Sequence, residues 1–248
     1  MEQMVTEPYH DFSELTLRAE KGVDYCIDIL DRSASVTVVA IHAGTIEPLT
    51  GELAAAIAGG DHNLYVLRGL GPGKGDLLRV PVTRFDDVRL TALLDRSVVG
   101  ISVQGVRGDD AVVHLGGRNR RLRGCLQGTL ESAGFSTAGP IGPHAAHSPS
   151  RFVNRSSQGG VQLEVTAALR RSMTSAPLAE ASDRRESTTW TNQYRAFVGV
   201  VRQGLVDYLA EEDADLDVAL RRFEQATREI RRVIPSDDNG HAGGHRVR

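Results

Sequence analysis

Two stretches of the chain carry residue types that could hold a metal ion and activate a water. In "VVAIHAGTIEPLTGELA", residues 38–54, an apolar β-branched run stops at His42 and a short loop leads to Glu47. In "NRSSQGGVQLEVT", residues 154–166, Glu164 stands inside an otherwise apolar segment that follows Asn154 and Arg155. A hydrolytic zinc site needs about three protein ligands and an open position, and histidine and carboxylate are suitable ligands. A separate glutamate then takes the proton of the attacking water, while an arginine polarises the scissile carbonyl or grips a substrate carboxylate. His42 and Glu47 supply two ligand types from one strand–loop unit, Glu164 is the spare glutamate, and Arg155 is the nearby cation. The His-x4-Glu spacing alone is unspecific. A histidine at a strand end is often a hydrogen-bonded structural residue, and Glu47 equally suits the first turn of a helix, where the dipole favours negative charge.

The elements that must position these residues alternate in type. Residues 10–22 read as a short helix and 23–32 as a strand with alternating polarity. "ASVTVVAI" is a continuous β-branched run, the mark of a strand buried on both faces. A helix over 47–58 has Pro48 in its first turn and Gly59–Gly60 at its end. "NLYVLRGL" is the next strand, and the glycine-rich "GLGPGKGDLLRV" runs into another short one. "DDVRLTALLDRS" is a helix, "VVGISVQG" a buried strand ending at Gln104–Gly105, and "DAVVHLGG" a further strand. "RNRRLRGCLQGTLESAG" is a helix, 136–150 a loop, and "GGVQLEVT" the last strand. This alternation over 23–170 predicts a three-layer α/β/α domain with a mixed, mostly parallel sheet. In such sheets ligands bind beyond the carboxyl ends of the strands, which is where His42, Gln104 and Glu164 fall. Residues 174–192 read as a loop, and 194–210 and 213–233 as two extra C-terminal amphipathic helices. The expected organisation is an α/β domain over 9–211, a helical extension over 212–234 and a disordered tail over 235–248.

Composition excludes several function classes. The net charge is −3 with both signs interspersed, which argues against a nucleic-acid partner. No run approaches the roughly 18 apolar residues of a membrane span. "MEQMVTEPYHDFSEL" is too acidic and polar for a signal peptide, so the expected location is cytoplasmic. Cys26 and Cys125 make neither a disulfide framework nor a CxxC metal knuckle. "GLGPGKGD" departs from the Walker pattern because Gly75, not Ser or Thr, follows Lys74. No GxSxG elbow is present.

Taken in order, the blocks resemble the poly-γ-glutamate hydrolase family of phages and bacteria, which is distantly related to zinc carboxypeptidases. "IHAGTIEPLTGELAAAIAG" matches a strand ending in a His-Gly-Gly-like turn, Ile-Glu-Pro and a helix. "LYVLRGL" matches "YLFEGL", and "LRVPVTRFDD" matches "LHITSTHFDEP". "ISVQGVRG" and "VHLGG" match an apolar strand ending in His-Gly followed by Val-Gly-Gly. "NRSSQGGVQLEVTAALR" matches "NRxxxGGVQLEISRGLR". The blocks are collinear from about residue 9 to 172. The resemblance implies a zinc-carboxypeptidase-like fold and a zinc-dependent hydrolase of γ-glutamyl amide bonds, acting on an anionic polymer or peptide. It implies His42 and Glu47 as zinc ligands, Glu164 as general base, and Asn154 and Arg155 as substrate-facing. One position departs: Gln104 stands where the third ligand is a histidine. An amide oxygen is a weaker zinc ligand than imidazole. Gln104 binds zinc weakly, or His114, His144 or His147 substitutes, or the chain is a non-catalytic relative that binds an anionic polymer or a protein partner. Arg68, Arg79, Arg84, Arg107 and Arg118 also fall in or beside strand-end segments.

Overall fold

The strand expected to be buried on both faces is the centre of the molecule. In the computed structural model β2 (Val36–Gly44) has all nine residues buried. The structure describes residues 9–71, 73, 75–141, 151–178 and 189–233, the side chains of 227–233 excepted. The other strands are β1 (Tyr25–Leu30), β3 (Asn63–Gly69), β4 (Val99–Val106), β5 (Val112–Gly116), β6 (Ser136–Ala138) and β7 (Gly160–Thr166). They form one seven-stranded mixed sheet in the order β1-β3-β2-β4-β7-β5-β6. The four central strands β3, β2, β4 and β7 run parallel, β1 pairs antiparallel with β3, β5 pairs antiparallel with β7, and β6 runs parallel to β5.

Helices cover both faces. On one, α1 (Phe12–Arg18) and α3 (Val88–Asp95) bury Phe12, Leu15, Leu90 and Leu94 against Val39, Ile41, Tyr65 and Leu67. The Asp11 side chain accepts from the Glu14 N–H and Asp87 from the Arg89 N–H, so each helix starts on an aspartate cap. On the other face lie α2 (Thr50–Ala58), α4 (Arg120–Ser132) and the first part of α6 (Asn192–Val233). Tyr194 donates to the Glu52 carbonyl on α2, and Phe197 meets Phe135 edge-on at 5.5 Å. A short α5 (Ala167–Ser172) follows β7, capped by the Thr166 side chain.

Three expectations change in detail. The short strand expected at 76–80 is a 3-10 turn, Gly75–Leu78, and the seventh strand is instead β6 at the sheet edge. The helix after His42 begins at Thr50, so Glu47 lies in the loop ahead of it rather than in its first turn. The expected pair of C-terminal helices is one helix of 42 residues, because "AEEDAD" contains no glycine or proline to break it. The chain divides into one compact unit ending at Asp207 and a second beginning at Tyr208. The expected tail at 235–248 lies outside the described residues, as do His144 and His147. Cys26 on β1 and Cys125 on α4 are not joined in a disulfide. No helix among the described residues is long and apolar enough to cross a membrane.

Candidate active site

The chain order defines where the site must be. β2 connects through α2 to β3 on one side, and the chain then crosses back to β4 on the other. The carboxyl ends of β2 and β4 therefore flank a topological switch point, the usual position of a ligand crevice in such sheets.

His42 reaches this crevice through a β-bulge. Pairing runs from Ala40 opposite Val66 to Ala43 opposite Arg68, so β2 carries one extra residue there. Ile41 keeps its place in the core, and His42 turns toward Val80, which belongs to the same cluster. The His42 Nε2 lies 2.9 Å from the Val80 carbonyl oxygen and must donate to it. The His42 Nδ1 faces Glu47 Oε1 at 3.2 Å.

Glu47 is folded back onto the histidine by its own backbone. Its N–H donates to the His42 carbonyl at 2.7 Å, and Leu49, buried in the left-handed region at φ 76°, turns the chain into α2. Glu47 Oε2 accepts from the Gly105 N–H at 2.7 Å, and Oε1 accepts from Arg79 Nη1 at 2.7 Å. Gly105 has a packing reason to be glycine: a Cβ there would lie 2.7 Å from the guanidinium carbon of Arg170. That buried guanidinium donates to the carbonyls of Pro48, Val165 and Val106, tying the Glu47 loop to the ends of β7 and β4. Burial pushes the Glu47 pKa up, but His42, Arg79 and the Gly105 N–H outweigh it and hold the carboxyl below the ordinary range.

Glu164 lies two strands away at the same end of the sheet. Ser102 pairs with Val39 on one side and Gln162 on the other, and Gln104 pairs with Glu164. These four polar residues form a chain. Gln104 donates to Ser102 Oγ at 3.1 Å, and Gln162 Nε2 donates to Gln104 Oε1 at 2.9 Å and to Glu164 Oε1 at 2.6 Å. Arg151 donates to Gln162 Oε1, which fixes the amide orientation, and the Ile141 N–H reaches Glu164 Oε2 at 3.2 Å. Burial pushes the Glu164 pKa up; the Ile141 N–H and the charges of Arg151 and His114 oppose this, and Glu47 adds to it. The net direction is upward, as a group exchanging protons near neutrality requires.

The expected residues are thus brought together in part. His42, Glu47, Gln104 and Glu164 lie at the same end of the sheet. Asn154 is buried, and its Oδ1 accepts from the Arg118 N–H at 3.0 Å, joining the 3-10 turn Phe152–Arg155 to the loop after β5. Arg155 is not brought together with them. It pairs with Asp95 through two 3.1 Å contacts beside the start of β4, the opposite end of the sheet. From Gly160 to Glu164 is about 13 Å of strand, so Arg155 is turned away from the crevice. His114 stands opposite Glu164, with its Nδ1 2.9 Å from the Gly139 carbonyl oxygen. Arg68 turns to Glu52 on the α2 face. Sequence reasoning listed Arg79 among five strand-end arginines without choosing it, and missed Arg151, Ser102 and Gln162. The last two had a signal: Ser102 with Gln104, and Gln162 with Glu164, are polar pairs at the two-residue period of one strand face.

A divalent ion fits half of this donor set well. Two ligands of one tetrahedral ion at about 2.0–2.1 Å stand roughly 3.3 Å apart, close to the observed 3.2 Å between His42 Nδ1 and Glu47 Oε1. The Nε2 bond to Val80 is the second contact that fixes a ligating histidine. A bare Nδ1 facing a carboxylate oxygen also calls for a proton or a metal between them. The amide of Gln104, the expected third ligand, is engaged with Ser102 and Gln162. No group of three His, Cys, Asp or Glu side chains among those residues could hold a metal.

A mixed α/β sheet with a histidine–glutamate pair and an isolated glutamate at its strand ends defines a class of hydrolase-like scaffold. The chain belongs to the poly-γ-glutamate hydrolase family, whose model matches residues 9–200. It is 30% identical over 168 residues to the UPF0714 protein YndL of Bacillus subtilis strain 168, covering 66% of each chain. It is 29% identical over 174 residues to the SPbeta prophage-derived UPF0714 protein YoqZ of the same strain, covering 68% of this chain and 62% of the relative. The matches therefore span a little under two thirds of these relatives. A bacteriophage poly-γ-glutamate hydrolase structure superposes with a TM-score of 0.77 at 26% identity, covering 83% of this chain and 99% of the other. A zinc-free apo form of YndL superposes with a TM-score of 0.73 at 26% identity, covering 80% and 97%. The resemblance read from the sequence blocks and the expected fold class both hold.

Proposed function

We propose that this chain hydrolyses γ-glutamyl amide bonds, in poly-γ-glutamate or a related peptide, at the β2–β4–β7 strand ends. The observation that carries the reading is the pair of buried glutamates at the carboxyl end of the sheet, Glu47 paired with His42 and its pKa lowered, Glu164 tied to Gln162 and its pKa raised by burial. Glu164 is the general base. It takes a proton from the attacking water and delivers it to the leaving amine. Gln162 fixes the carboxylate by its 2.6 Å bond, and Arg151 behind it is the cation nearest this base, the place expected for Arg155. A divalent ion held by His42 and Glu47, with Gln104 as a weak third donor, would supply Lewis acidity at the scissile carbonyl. Poly-γ-glutamate, the polymer for which the phage hydrolase is named, is anionic, which suits a crevice carrying Arg79 and Arg151.

A second reading is favoured by one observation: the Gln104 amide is bonded on both sides, to Ser102 and Gln162. On that reading the crevice binds the polymer without cleaving it. Chain length of poly-γ-glutamate after incubation separates the two, with and without added zinc. Shortening by the wild type that disappears in Glu164→Gln supports hydrolysis. Undiminished chain length with retained binding in both proteins replaces it with the binding reading.

A further inference from the structure

Arg79 is held between two carboxylates of unequal burial. Its Nη1 lies 2.7 Å from Glu47 Oε1, the same oxygen that faces His42. Its Nε lies 3.5 Å from Asp76 Oδ1, on the 3-10 turn that follows the glycine-rich loop. Glu47 and His42 are 5% exposed at the side chain, Arg79 22% and Asp76 72%. The guanidinium therefore enters the crevice from the solvent side, on a long side chain whose second partner is already at the surface. A buried carboxylate needs a compensating cation, and here Arg79 supplies it at the oxygen a metal would use. Two cations cannot share that oxygen without strong repulsion in so dry a site.

We propose that Arg79 is an internal counter-cation for Glu47 that a divalent ion must displace, the guanidinium passing to Asp76 as the ion enters. Metal uptake in this chain is then an exchange at Glu47, with intrinsic affinity lowered by the arginine as well as by the amide at Gln104. This rests on the reading that His42 and Glu47 face a divalent ion, and it requires no turnover. The arginine also explains how the site stays folded and neutralised when no metal is present.

The test is zinc affinity, measured by competition with a chromophoric chelator on the full chain. Wild type, Arg79→Gln, Arg79→Leu, and Arg79→Gln combined with His42→Ala are compared, with melting curves for each. Arg79→Gln and Arg79→Leu are expected to bind zinc at least tenfold more tightly than the wild type. His42→Ala in the Arg79→Gln background is expected to abolish the gain, which places the ion at this crevice. A folded Arg79 variant whose zinc affinity equals or falls below the wild type overturns the exchange, as does a gain that survives His42→Ala. Two substitutions guard against one failing to fold, and loss of polymer cleavage bears on the proposed function, not on this exchange.

Discussion

Glu47, in the loop after β2, and Glu164, near the end of β7, are the same residue type at the same end of the sheet, with 4% and 6% of their surface exposed. Burial of equal depth should push both carboxyls up alike, yet they move in opposite directions. The difference lies in their neighbours. Glu47 receives the His42 ring, the Arg79 guanidinium and the Gly105 N–H directly on its oxygens. Glu164 receives an amide and one long N–H bond, and its nearest cation, Arg151, is spent on Gln162. Two groups whose environments push their pKa values apart divide the labour of acid–base chemistry. One carboxyl is held low by its neighbours and the other is raised by burial, the division that the proposed acid–base roles require.

The largest effect should come from breaking the Glu164 half. Glu164→Gln is expected to lower polymer cleavage by about 10²–10⁴-fold, the usual worth of a positioned general base. In the wild type, cleavage should rise with pH through a carboxyl that titrates above the ordinary 4.5, since the group must lose its proton to act. That acid limb, read from the pH dependence of kcat/KM, should be absent from any residual activity of the variant. Breaking the Glu47 half should instead appear in stability. Glu47→Ala leaves Arg79 and the Gly105 N–H without their partner, and removing one member of a buried pair costs about 3–5 kcal/mol. Urea denaturation at neutral pH measures this, and a cost below about 1 kcal/mol would dissolve the contrast between the two halves.

The two halves were also unequally legible in the sequence. β2 announced itself by its unbroken apolar run, and His42 and Glu47 by ending it. The turn that joins them is local, five residues from carbonyl to N–H, so short-range reading could find it. Gln104 and Glu164 were found as polar residues in apolar strands, but their linkage was hidden. It depends on β7 inserting between β4 and β5, a pairing across about 60 residues that no local pattern encodes. Arg79 was equally hidden, because its approach to Glu47 is set by how the 3-10 turn packs under the β2 loop. The separate placement of Arg155 has a different cause. Adjacency in sequence to Asn154 and Glu164 suggested adjacency in space, whereas the 3-10 turn sits at the amino ends of β4 and β7 and points that side chain to Asp95.

Gln162 links Gln104, Glu164 and Arg151, and its removal should have an intermediate effect. Gln162→Leu keeps the volume but leaves Gln104 Oε1, Glu164 Oε1 and Arg151 short of a partner. An unsatisfied buried polar group costs about 1–3 kcal/mol, so a loss in that range is expected by denaturation. Cleavage should fall as well, because the base is no longer fixed. If cleavage is untouched while stability drops, Gln162 is packing alone and Glu164 is positioned by Ile141 and the sheet.

The smallest effect is expected at Arg155, and it tests the geometry by its smallness. The pair with Asp95 is nearly half exposed on both sides, at 46% and 49%. Such surface ion pairs contribute about 0–1 kcal/mol and are screened by salt. Arg155→Ala should therefore leave both melting temperature and cleavage close to the wild type, whereas Arg151→Ala should disturb both through Gln162. A large loss of cleavage in Arg155→Ala with the fold intact would mean that the substrate reaches the amino ends of the strands. It would also mean that the strand-end crevice is only part of the site. The matched pair of arginine variants is the sharper measurement, because both remove the same charge from the same short segment and differ only in where the backbone aims it.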